Sequence, residues 1–218
     1  MITVSKSENL VPAALIFLSI VPILAGGERL LELSFGAELT EDNARFFASP
    51  TPVTIHILSV SLYCILGALQ FAPKIRRWNP TWHRKAGRLL IPSGLVAALS
   101  GLWMTQFYSP VEFSGPILYW IRILVGSAMA GSICLGLAAI RRRDFLQHSA
   151  WMIRGYALGL GAGTQVLTGI AVLVLGLQGE LAVNLYMGVG WGINIVVAEW
   201  VIRMRSKQAS LEFTPIRV

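Results

Sequence analysis

The stretch PILYWIRILVGSAMAGSICLGLAAI, residues 116–140, runs straight into Arg141, Arg142, Arg143 and Asp144, and its reading decides the fold. The run carries one charge, Arg122, and exceeds the ~20 apolar residues that a helix needs to cross ~30 Å of hydrocarbon. The arginines that end it are disfavoured in lipid and expected in a cytoplasmic loop. Working outward in both directions, five further runs have the same character. The predicted spans are residues 10–27, 52–72, 87–107, 116–140, 148–175 and 181–202, within a single integral membrane domain covering residues 1–218. The expected fold is all-α, a polytopic membrane helical bundle whose four-helix core is spans two to five. A β-barrel would need short alternating segments, and none is visible.

Composition agrees with this class. The chain is 55% hydrophobic and 13% charged, with a mean hydropathy of +0.64, whereas a soluble domain carries about 25% charged residues. The net charge of +7 is distributed by loop. Residues 28–50 hold Glu28, Glu32, Glu38, Glu41 and Asp42 against Arg29 and Arg45. The next loop holds Lys74, Arg76, Arg77, Arg84, Lys85 and Arg88 with no acid. Glu112 follows alone, then Arg141 to Arg143 with Asp144, then Glu180 alone, then Arg203, Arg205 and Lys207. Basic and acidic loops alternate throughout. The positive-inside rule therefore predicts that both termini lie in the cytoplasm, with an even number of spans. The basic charge sets topology, and nucleic acid is not an expected partner; the lipid bilayer is.

Two details qualify the first third of the chain. Lys6, the apolar run and Ala25-Gly26-Gly27 also fit a signal peptide, but Ile23 suits the small-residue cleavage rule poorly, which favours an uncleaved helix. The loop 28–50 is long enough to carry a short amphipathic piece. Cys64 and Cys134 fall inside apolar spans as small hydrophobes, and no Cys-x-x-Cys-His attaches a c-type haem.

The histidines are the chemistry-bearing residues, three in all. His83, in Trp82-His83-Arg84-Lys85-Ala86-Gly87-Arg88, and His148, in Asp144-Phe145-Leu146-Gln147-His148, open the third and fifth spans from the same side. Two imidazoles facing each other between helices can ligate a b-type haem or a small metal site. Stepping by three or four residues, Gly87, Gly94, Ala98 and Gly101 lie beneath His83, and Met152, Gly155, Gly159 and Gly163 beneath His148. Such faces admit a flat ring, or equally a neighbouring helix. His56 opens the second span from the opposite side, as a possible further ligand or a polar interface anchor. Asp144 shares a face with His148 and could complete a two-histidine, one-carboxylate set with His83, or cap the helix that follows it. Arg84, Arg88 and Arg141 to Arg143 suit haem propionates or a quinone head, or only orient the protein.

Arg122 and Arg154 lie inside spans, where an unpaired charge costs several kcal/mol. Glu199 is at the right depth to pair with Arg154. Arg122 has no such acid, and is expected to bind an anionic ligand, face water, or reach Glu112 or Glu180.

The runs His56…Gly67-Ala68-Leu69-Gln70-Phe71-x-Pro73, His83-Arg84-x-x-Gly87-Arg88 and Asp144-x-x-x-His148-x-x-Trp151-Met152-Ile153-Arg154 resemble a family of bacterial membrane proteins called domain of unknown function 2306. More distantly the arrangement is similar to membrane b-type cytochromes with two haems. That similarity implies one haem between spans three and five, at His83 and His148, and a second between spans two and four, where span four has no histidine. It implies haem b, one-electron transfer and a quinone or soluble redox partner. A different class of function fits the intramembrane polar residues: a small-molecule or ion transporter with Arg122, Arg154, Glu199, Asn184, Asn194 and Gln165 along a polar path. For that reading the Gly159–Gly163 segment hints at a helix broken in mid-span. A membrane scaffold with no cofactor is the third possibility.

Overall fold

The computed structural model describes residues 10–110 and 112–212, all of its regular structure helical. The elements are α1 (Leu10–Phe35), α2 (Ala44–Ala48), α3 (Pro50–Gln70), α4 (Pro73–Trp78), α5 (Pro80–Phe107), α6 (Pro116–Arg141), α7 (Phe145–Gly159), α8 (Gly161–Val174) and α9 (Gly179–Glu212). Among the described residues five helices, α1, α3, α5, α6 and α9, are long and apolar enough to cross a membrane, and α7 with α8, bent by 47°, passes the same length and composition criteria only as a pair. The short α2 is the helical piece expected in the loop 28–50.

Several helices outrun the predicted spans because backbone hydrogen bonding does not stop where lipid stops. α1 continues past Gly27 to Phe35, and α9 continues past Ile202 to Glu212. α5 starts at Pro80, seven positions before Gly87. Its start is set by local chemistry. The Asn79 side chain accepts from the Trp82 backbone N–H at 2.9 Å, and Pro80 has no N–H to leave unsatisfied in the first turn. Proline opens α3, α4 and α6 in the same way.

Helices α3, α5, α6 and α7 surround the core, with α8 and α9 closing one side and α1 packed on α3 and α8. Tyr63, Leu118 and Ile133 are the largest fully buried side chains. Tyr63 is flanked by Tyr156, 5.8 Å away between ring centres, and Tyr156 by Phe71 at 4.9 Å. Exposed apolar side chains such as Phe17, Leu24, Leu124, Leu173 and Trp200 ring the outside, as lipid contact requires.

The glycine faces serve this packing. A β-carbon on Gly94 would lie 2.6 Å from the Tyr63 ring and 2.7 Å from Ile133 Cδ1. On Gly159 it would meet Tyr63 at 3.0 Å and Met129 at 3.1 Å, and on Gly155 Ile133 at 3.2 Å. Gly163 lets α8 approach the Leu18 carbonyl of α1. The space expected for a flat ring at Gly94, Gly155 and Gly159 is therefore taken by Tyr63, Ile133 and Met129, which is the helix-packing role of small residues. Gly87 alone among the glycines of those two faces has open space beside it.

The fifth span breaks at Leu160, within the glycine-rich segment singled out in the sequence. A break inside lipid must re-satisfy the backbone groups it frees, and neighbouring helices do so. Asn194 Nδ2 of α9 donates to the Ala157 carbonyl at 3.0 Å, and the Cys64 thiol of α3 donates to the Gly159 carbonyl at 3.7 Å. Thr164 Oγ1 donates to Asn194 Oδ1 at 2.6 Å, which holds the bracing amide in place. Gln165 and Thr168 add bonds to the Met187 and Tyr186 carbonyls of α9, at 3.3 and 2.6 Å.

Candidate functional site

The alternating loops make two chemically distinct ends. A basic end carries α4, the start of α5 and the α6–α7 turn. An acidic end carries α2, the α5–α6 loop and the α8–α9 turn.

At the basic end, His148 sits on the first turn of α7, with Nδ1 2.9 Å from the Gly136 carbonyl of α6. A carbonyl only accepts, so Nδ1 bears the proton and Nε2 is left with a lone pair, as in a metal-ligating histidine. His83 sits half-buried on the first turn of α5, its backbone N–H bonded to the Asn79 carbonyl. Arg84, Arg88 and Arg141 to Arg143 are exposed around them. Asp144 caps α7: its carboxylate accepts from the Gln147 N–H at 3.0 Å. Among the described residues no three His, Cys, Asp or Glu side chains come together as a metal group. The set of His83, His148 and Asp144 is thus corrected to a cap plus two histidines, because the carboxylate is held by its own helix start.

Arg154 and Glu199 pair as their depths suggest. Nε donates to Oε1 at 2.5 Å and Nη2 to Oε2 at 3.0 Å. This two-pronged geometry suits a planar guanidinium, and the Trp151 ring lies 4.6 Å beneath it.

The acidic half contains a cavity of about 430 Å³. It runs from Arg45 and Ser109 at the mouth to Cys64, Met129 and Gly159 at its floor. Helices α1, α3, α5, α6, α8 and α9 all contribute to its wall. Apolar groups dominate the lining, among them Ile23, Val60, Val125 and Trp191. Among the polar groups, Arg122, His56, Gln165 and Tyr119 carry the larger side chains along the walls and Arg45 stands at the rim, with hydroxyls and a thiol such as those of Ser19, Ser61, Cys64 and Thr105 between them. That is the usual make-up of a small-molecule site, whose volumes run from about 300 to 1,000 Å³.

His56 is 2.9 Å from the Ala97 carbonyl and 3.1 Å from Ser100 Oγ, both through Nδ1. By the same logic as at His148, Nδ1 carries the proton and Nε2 is an acceptor. Gly101 makes room for the imidazole, since a β-carbon there would lie 3.3 Å from His56 Cε1. Arg122 donates Nη2 to Met187 Sδ at 3.6 Å and forms no ion pair among the described residues. Glu180 does not reach it; its carboxylate lies over Gly115 at the rim. Arg45 stacks on Phe46 at 4.5 Å. Burial lowers the Arg45 pKa from its ordinary value, and nearby Asp42 acts in the opposite direction.

The polar residues assigned to one path divide into three groups. Arg122 and Gln165 line the cavity, Asn194 braces the helix break, and Arg154 with Glu199 forms a pair at the basic end. Asn184 Oδ1 is buried without a hydrogen bond. Neither His83 nor His148 lines the cavity, whereas His56 does. Arg45, Tyr119 and Met187 were not singled out from sequence. Their only signal there was Arg122 itself, a charge in need of surroundings.

No curated protein and no solved structure matches this chain in comparisons with known proteins. A family model, described as predicted membrane protein (DUF2306), matches residues 53–202, from the first turns of α3 to the end of the membrane part of α9. The chain therefore belongs to the DUF2306 family of membrane proteins.

Proposed function

We propose that this multi-pass membrane protein is a small-molecule transporter of the bacterial cytoplasmic membrane, with its basic end in the cytoplasm and its substrate site in the acidic-half cavity. The cavity carries this reading: the bundle is hollow from the acidic end to the break at Leu160 and packed shut beyond it by Tyr63, Ile133 and Tyr156. This is the shape of a carrier open to one side. Broken helices beside a mid-membrane site are a recurrent transporter device, and here Leu160 and Gly163 line the cavity itself. Opening to the other side requires Tyr63 to leave its glycine seats and Arg154 to part from Glu199.

The test uses a Ser61→Cys variant with Cys64→Ser and Cys134→Ser, since Ser61 lines the cavity. A membrane-impermeant methanethiosulfonate is applied to right-side-out and to inverted vesicles. Reaction from both faces identifies a carrier. Reaction from the acidic face alone makes the cavity a blind pocket and rejects transport.

A second reading, one-electron transfer through a b-type haem between His83 and His148, is favoured by the His148–Gly136 bond, which leaves Nε2 available to iron. A ring would have to lie at the level of Gly87, where an added β-carbon meets nothing within 4 Å, because Gly94, Gly155 and Gly159 are packed against Tyr63, Ile133 and Met129. There Arg84 and Arg88 would meet the propionates, and the haem would supply reversible one-electron chemistry to a quinone or soluble partner. Absorbance of the purified protein, oxidised and dithionite-reduced, tests this against a His83→Ala, His148→Ala variant. A Soret band lost in the variant supports the haem. A featureless spectrum despite haem supply excludes it.

A further inference from the structure

We infer that the acidic-half cavity selects an amphipathic anion, a small carboxylate with an apolar body, and that Arg122 is the residue that recognises its charge. The inference rests on the cavity being the ligand site proposed above and goes further in naming what fits it.

Charge is the first observation. Two guanidinium groups, Arg122 and Arg45, line the cavity, and among the described residues no carboxylate does. The acids of this end stay at its margin: Glu180 over Gly115, Asp42 beside Arg45, and Glu32 bonded to Arg29. Arg122 is different in kind from Arg45. It lies on the second turn of α6, half-buried, with a thioether as its protein partner. Sulfur is a weak acceptor, so the guanidinium keeps most of its donors for something else. Arg154 shows how this chain treats an intramembrane arginine whose role is structural, with a carboxylate supplied at 2.5 Å. At Arg122 no described residue supplies that carboxylate, and a cavity stands in its place.

The remaining wall describes the rest of the ligand. Val60, Val125, Met129 and Leu158 give the cavity a mainly apolar wall, interrupted by the small polar groups of Ser61 and Cys64, so the body of the anion lies along α3, α6 and α7. His56 presents an acceptor and Gln165 a donor and an acceptor, which suits one further polar group, such as a hydroxyl, on that body. Inorganic phosphate and other fully hydrated anions do not fit a wall so apolar. A cation is excluded by the two arginines.

The experiment uses the full chain in phosphatidylcholine nanodiscs, with the Ser61→Cys reporter described above and the uncharged thiol reagent N-ethylmaleimide. Octanoate, octan-1-ol and octylamine share one body and differ in head charge. Each is tested for its power to slow labelling. Octanoate should protect at concentrations about tenfold lower than octan-1-ol, the margin expected of hydrogen bonds to a charged partner. Octylamine should protect least. Arg122→Gln should abolish the preference for octanoate while leaving protection by octan-1-ol. Arg122→Lys, which keeps the charge and is less disruptive to folding, should retain part of it. Equal protection by octanoate and octan-1-ol would overturn the inference and leave the cavity as an uncharged-ligand site. Strongest protection by octylamine would also overturn it. Absence of protection by all three would overturn both this inference and the cavity as a ligand site.

Discussion

Towards the basic end of the bundle, Tyr63 and Ile133 pack across Gly94 and Gly155, Tyr156 packs against Gly67, and the intramembrane arginine meets a carboxylate. At the acidic end the same helices hold residues of similar size, such as Ala97, Ala98 and Gly101, yet these line a cavity instead of seating a tyrosine, and the arginine faces that cavity. The difference is one of partners. Gly94 and Gly159 meet the Tyr63 ring and make tight seats, whereas Gly101 meets only the edge of the smaller His56 imidazole and the wall around it stays hollow. The basic half is closely packed and the acidic half is hollow, with Leu160 at the boundary.

Removing the ring that fills the packed half should show the largest effect. Tyr63→Ala leaves a cavity where the side chain is 1% exposed and should cost about 3–5 kcal/mol of stability. Denaturant unfolding in mixed micelles would report it, and a loss under about 1 kcal/mol would show that the floor is not tightly packed. The two arginines come next. Arg154→Met strands Glu199 and should cost about 3 kcal/mol, the low end for a buried pair because both side chains keep some exposure. Replacing both Arg154 and Glu199 by Met should recover much of that loss. Arg122→Met should change stability by no more than about 0.5 kcal/mol. Equal losses at the two arginines would erase the contrast drawn between the halves.

Smaller effects test the glycines. Gly94→Ala should cost about 1–3 kcal/mol by overpacking against Tyr63 and Ile133. Gly131→Ala, with nothing within 4 Å, should stabilise α6 by up to about 1 kcal/mol through helix propensity. Melting temperatures of the two variants should move in opposite directions. Least of all, Tyr63→Phe removes a buried hydroxyl that has no hydrogen-bond partner. It should be neutral or stabilising by about 1 kcal/mol, since an unsatisfied group is lost. Destabilisation on the same assay would mean that the hydroxyl has a partner in the membrane, such as water.

Much of the architecture was legible because lipid imposes simple rules. Apolar runs located the spans, and loop charge sorted the ends. Depth alone matched Arg154 to Glu199, and the Gly159–Gly163 segment marked the break at Leu160. Asp144 was legible as a cap because it stands immediately before a helix. The site was less so. His83 and His148 drew attention because they are histidines with glycines below them, but periodicity shows which residues share a face and not what lies opposite. Tyr63 comes from a different helix, and nothing in the α5 or α7 pattern announces that it fills their glycine faces. His56, with no histidine on its own side to pair with, lines the cavity.

The sequence by itself determined the class, the order of the apolar helices, the charge of the loops between them and the positions of the charges within apolar runs, because each follows from transfer of single side chains and short segments between water and lipid. Only the tertiary structure decided which small residues are seats and which are hollows, and which arginine is paired. Those outcomes depend on the relative placement of α1, α3, α5, α6, α7, α8 and α9, a property of many helices at once that no single segment encodes.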